Sequence, residues 1–186
     1  MDLTRQRLDN LAFAAALAAV FAATAGFASA RNGAAIVMCG ICLAGLIGGR
    51  IAGMSGAVTL TLALGLVAIL WMVWIDPPAS SRRTSALAHA VGGALMGWAL
   101  ATTLRRHRWP AWALAAMIGV LVLTITWELG EWIGDRALDT ALIPNRRDSA
   151  LDIVFGCFGG GAGIAAAWLL TPFSRSPRAD RLASPR

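Results

Sequence analysis

Ten carboxylates are spread along this 186-residue chain, yet six of them crowd into one stretch: Glu128, Glu131, Asp135, Asp139, Asp148 and Asp152. Carboxylate oxygens are hard ligands suited to Mg²⁺ or Mn²⁺, and a set that also holds a histidine suits Zn²⁺. Such an ion polarises a phosphoryl or carbonyl oxygen or activates water. His89, set in an apolar run, is the side chain best matched to proton transfer near neutral pH. The candidate metal ligands are therefore Glu128, Glu131, Asp135, Asp148 and Asp152, and the candidate catalytic groups are His89, Glu128, Glu131 and Asp152. Glu131 and Asp135 follow Glu128 at helical spacing, so one face carries all three if the helix continues; Asp148 and Asp152 are likewise spaced by one turn. Plainer roles compete. Asp135 and Asp139 suit an exposed loop, Asp148 suits a helix N-cap, and Arg146 or Arg147 can neutralise Asp148 or Asp152.

The elements that carry these residues are apolar and long. Hydrophobic residues make up 58% of the chain and charged ones 14%, against about 45–50% apolar in a soluble domain. That balance excludes a disordered chain and argues against an ordinary soluble enzyme. All 16 basic residues are arginine, and the net charge is +6. Their short clusters between apolar runs are the pattern of membrane-protein loops rather than of a nucleic-acid surface, so no nucleic-acid partner is expected. Six segments approach the roughly 20 apolar residues a spanning helix needs: 11–30, 34–49, 57–75, 86–104, 110–133 and 150–171. Buried amides in lipid must be satisfied within each segment, and the alternation of a membrane barrel is absent. The expected fold is an all-α, polytopic transmembrane bundle of about six spans over residues 1–171. A basic, disordered cytoplasmic tail follows at 172–186. Asp76-Pro77-Pro78, the arginine-rich link before Pro110, and Pro144-Asn145 punctuate the spans. No repeat of 20–50 residues is visible.

Six spans put both termini, the second loop and the fourth loop on one side, with ten arginines there and six on the other. The positive-inside rule then places both termini in the cytoplasm of a bacterial inner membrane. Residues 1–30 also resemble a cleavable signal peptide ending in Ala28-Ser29-Ala30. In this orientation Glu128, near the end of the fifth span, Asp148 and Asp152, at the start of the sixth, and His89, in the fourth, meet near the periplasmic face. Ionisable groups at membrane depth are costly and usually face a bundle interior or a wet cavity. Gly92, Gly93 and Gly97 follow His89, while Gly156, Gly159, Gly160 and Gly163 follow Asp152, so small-residue spacing lets these two helices approach.

His89 with Gly93, then Trp127-Glu128-Leu129-Gly130-Glu131-Trp132 with Asp135, then Asp148-Ser149-Ala150-Leu151-Asp152, resembles the YjdF-like family of bacterial inner-membrane proteins. Ser149 stands where that family has threonine. A weaker similarity is to VanZ-like proteins. The resemblance covers 89–163 and implies a helical fold and these site positions; the VanZ-like similarity points toward envelope or lipid-related work. Cys39 and Cys42 form a CxxC, but both lie within an apolar span, where thiols are inert, and no second pair exists to relay electrons. The expected function is a multi-pass membrane protein whose His/Glu/Asp cluster binds a divalent metal (Mg, Mn or Zn) or a lipid-linked, phosphorylated envelope substrate. A metal-assisted hydrolase or transferase and a proton- or cation-coupled transporter are the alternatives. Membrane lipid is the expected partner.

Overall fold

Apolar segments in a medium without water keep their amide hydrogen bonds internal, and the chain accordingly forms six helices in sequence. They are α1 (Leu3–Ser29), α2 (Gly33–Ile51), α3 (Gly56–Ile75), α4 (Arg82–Arg106), α5 (Trp112–Leu138) and α6 (Arg146–Leu170). The structure is a computed structural model that describes residues 3–75, 82–106, 111–138 and 146–170. Among the described residues there is no strand. Helices α1, α4, α5 and α6 are each long and apolar enough to cross a membrane, and α2 and α3 carry the shorter apolar runs Ala35–Ile51 and Gly56–Met72. The molecule is an all-helical membrane protein.

Several helices outrun the spans expected from hydropathy. α1 begins at Leu3, α4 at Arg82 and α6 at Arg146, and α5 continues to Leu138. Apolar windows mark only the hydrocarbon crossing, whereas a helix already nucleated extends through polar turns at either end. Asp148 is consequently not the N-cap expected for the sixth helix. It lies inside the first turn of α6, where the helix dipole favours a carboxylate. Asp76-Pro77-Pro78, Pro110, Asp139, Pro144-Asn145 and the tail at 172–186 lie outside the described residues.

Two groupings hold the bundle together. α1 packs on α2 and α3, and its Ala16, Val20 and Phe27 join Cys39 and Ala63 in a fully buried core. At one end of this group Asp9 of α1 accepts the Gly56 amide at the start of α3 (2.7 Å) and pairs with Arg50 at the end of α2. Arg50 also donates to Asn10 and to the Met54 carbonyl, so one guanidinium ties α1 to the whole α2–α3 turn.

The second grouping is α4 on α6, the most extensive helix pair in the bundle. A methyl on Gly93 would strike the Gly156 carbonyl, and one on Gly97 the Gly160 carbonyl. From the other side, a methyl on Gly159 would strike the Ala90 carbonyl, and one on Gly163 that of Ala94. Backbone meets backbone at four points over two successive turns, the close approach that small residues permit in a membrane. Gly92 belongs to no such contact and faces only Ile69 at 3.8 Å. Because 93 meets 156 and 97 meets 160, the two helices run parallel, with their N-terminal ends at one level. α5 closes the group from the side, with Thr124 against Gly156 and Val120 against Gly160.

Candidate functional site

Three helices each deliver one ionisable group to the same point. His89 lies about 10 Å along α4 from Arg82, Asp152 about 9 Å along α6 from Arg146, and Glu128 about 15 Å before the end of α5, at 1.5 Å per residue. The groups thus sit below the rim of the bundle. The glycine contacts of α4 and α6 bring the backbones close enough for the two shorter reaches to meet.

His89 Nε2 is 3.6 Å from Glu128 Oε1 and 3.7 Å from Asp152 Oδ2. One donor atom from each of the three residues lies within 4.8 Å of the other two. Glu128 and Asp152 are buried, and the Glu128 side chain is only 8% exposed. Asp152 accepts a hydrogen bond from the Ser85 hydroxyl at 2.9 Å, one helical turn before His89 on α4. Glu128 has the Ser149 hydroxyl beside it and the His89 imidazole against Oε1. A buried carboxylate costs several kcal/mol unless something positive meets it.

The other expected site residues separate from this trio. Glu131 accepts the Trp127 indole N–H at 2.8 Å, a bond within α5 that turns the carboxylate toward its own helix. Asp148 acts electrostatically on His89, Glu128 and Asp152 from the first turn of α6, and Asp135 acts on Glu131. Neither belongs to the close trio. Ser85 was not among the residues singled out from the sequence, although its spacing of one turn from His89 places it on the same face.

The trio fits a small dication. A tetrahedral zinc site puts neighbouring ligand atoms about 3.4 Å apart, and an octahedral magnesium site about 3 Å apart. The two distances from His89, 3.6 and 3.7 Å, are close to such edges. Two carboxylates and a dication also sum to zero charge, which removes most of the cost of holding ions at this depth. Three protein ligands leave a fourth position open, the arrangement of reactive rather than purely structural zinc sites.

No protein-family model matches the chain, and neither does any curated protein or solved structure. Its class therefore follows from fold and site: a helical membrane protein with a His-Glu-Asp cluster buried near one end of the bundle.

Proposed function

We propose that this chain is a bacterial inner-membrane protein that binds one divalent metal ion, zinc by the mixed imidazole and carboxylate donors, through His89, Glu128 and Asp152. Both termini face the cytoplasm and the metal lies toward the periplasm. The observation that carries this is the convergence of His89, Glu128 and Asp152 from three helices, one donor atom of each within 4.8 Å of the others, with both carboxylates shielded from water. A proton relay needs no such convergence of three donor atoms on one point. The likeness of 89–163 to YjdF-like proteins belongs to the same proposal, as does the sidedness, which rests on the arginine excess at the ends assigned to the cytoplasm.

The chemistry on offer is Lewis-acid chemistry at the open position, toward an oxygen atom arriving from the outer leaflet. The test is elemental analysis of protein purified without chelator, with zinc titration of the metal-stripped protein. Wild type is expected to bind about one zinc per chain. Glu128→Gln and Asp152→Asn are expected to lose at least tenfold in affinity while eluting as folded protein. Zinc-free wild type that also fails to take up zinc, manganese or magnesium would overturn the proposal.

A further inference from the structure

Glu128, Asp152 and Glu131 each have a polar donor at their side, and the donors do different things. Asp152 accepts from Ser85 of α4, and Glu128 has the Ser149 hydroxyl of α6 beside it. Both donors belong to a helix other than the carboxylate's own, and both carboxylates stay close to the His89 imidazole. Glu131 instead accepts the indole N–H of Trp127, one turn earlier on the same helix, at 2.8 Å. It stands outside the close trio.

The backbone does not keep Glu131 away. On a helix turning about 100° per residue, Glu131 lies about 40° from Trp127 and about 60° from Glu128, between the two. Ligands three residues apart on one helix converge on a metal centre in carboxylate bundles. Glu131 also feels the charges of Glu128 and Asp152. Its carboxylate therefore has two destinations, the indole one turn back or the open position beside Glu128. Trp127 is held in place by packing: it is half-buried and seated against the core around Cys39. A tryptophan N–H away from water needs a partner, and Glu131 is the one it takes.

We propose that Trp127 is a positioning residue whose indole N–H holds Glu131 off the metal bound by His89, Glu128 and Asp152, keeping the fourth coordination position open for an outside ligand. The inference rests on the metal reading above and adds what sets the coordination number of that site. Without the N–H, Glu131 turns toward Glu128 and supplies a fourth donor. An open site then becomes a closed one, the arrangement of structural zinc. A tryptophan that only fills space makes no such difference, because phenylalanine keeps most of the packing and loses only the donor.

The test uses full-length protein in detergent, loaded with zinc or with cobalt in its place. Cobalt absorbs in the visible, and its spectrum changes when a thiocyanate ion enters an open position. Wild type is expected to bind one cobalt and to respond to thiocyanate. Trp127→Phe is expected to bind zinc about tenfold more tightly and to need at least about tenfold more thiocyanate for the same response. Adding Glu131→Gln to Trp127→Phe is expected to restore the wild-type response, a rescue that general damage to the fold would not allow. Glu131→Gln alone keeps a carbonyl to accept the indole N–H, so zinc affinity is expected to stay within about threefold of wild type. A tenfold loss of affinity in that variant would make Glu131 a ligand already and overturn the proposal. So would a thiocyanate response in Trp127→Phe equal to that of wild type. Cobalt-loaded wild type that ignores thiocyanate overturns the open position and the role of Trp127 but leaves the metal site standing, and this measurement does not depend on any variant folding. Wild type that binds neither metal overturns the metal reading itself, and the role of Trp127 with it.

Discussion

Glu128 is the residue at which the metal proposal is most directly tested. Removing its charge has opposite consequences with and without metal. In metal-free protein, Glu128→Gln exchanges a shielded carboxylate beside a second one for a neutral amide, so stability in a mixed-detergent unfolding titration is expected to be unchanged or to rise by about 1 kcal/mol. With zinc at about a hundred times its dissociation constant, wild type gains about 2.7 kcal/mol by mass action, and the variant gains little. The stability order therefore inverts on adding zinc, which a purely structural Glu128 would not produce. At this scale the sequence separated candidates only partly. His89, Glu128 and Asp152 were legible because ionisable groups at membrane depth are rare and each followed from its span. Glu131 shares the face of Glu128 and has the same chemistry, so nothing in the spacing distinguishes them. The difference is a rotamer: Trp127, one turn back, captures Glu131 through its indole N–H. Ser85 escaped notice because a serine in a span carries no charge to draw attention, yet it is the group that fixes Asp152.

At the level of helices, the α4–α6 contact decides whether the ligand atoms stay within reach of one another. Glycines 93, 97, 159 and 163 each bring a Cα against a neighbour's carbonyl, with no side chain able to yield. Gly159→Ala is expected to push the two helices apart, destabilising the bundle by about 1–3 kcal/mol and weakening zinc binding with it. Gly92→Ala is the matched control. Its methyl meets only the end of Ile69 at contact distance, and alanine is the better helix former by about 1 kcal/mol, so stability is expected to hold or rise. Unfolding titrations and zinc affinities of the two variants check both signs. Glycine spacing in the sequence indicated a close helix pair, and the pair is there. Which glycines face it was not readable, since Gly92 and Gly93 are adjacent and only the rotation of α4 about its axis separates a packed glycine from an idle one. Helix ends were the least legible feature, because the polar turns at Arg82 and Arg146 lie beyond the apolar windows that identify a span.

For the whole molecule, function depends on which compartment the site meets, and sidedness is a property no helix has alone. If all six helices cross, five crossings, an odd number, separate Arg7, near the start of α1, from Ala137, near the end of α5, and put them on opposite faces. Both positions are exposed, so a cysteine at either is reachable by reagent. Cys39 and Cys42 are buried and Cys157 lies within α6, which makes their replacement by alanine a workable background. In intact cells a membrane-impermeant maleimide is expected to label Ala137→Cys strongly and Arg7→Cys only after the membrane is opened. Labelling of both from outside would mean that one of the shorter apolar helices, α2 or α3, does not cross, and the arginine count would have to be redrawn on five helices with a different parity. The reverse pattern, Arg7→Cys outside and Ala137→Cys protected, would keep six crossings but turn the site toward the cytoplasm. Its metal would then be drawn from the cytoplasmic pool, and the arginines in the first turns of α4 and α6 would lie on the side where membrane proteins ordinarily carry them.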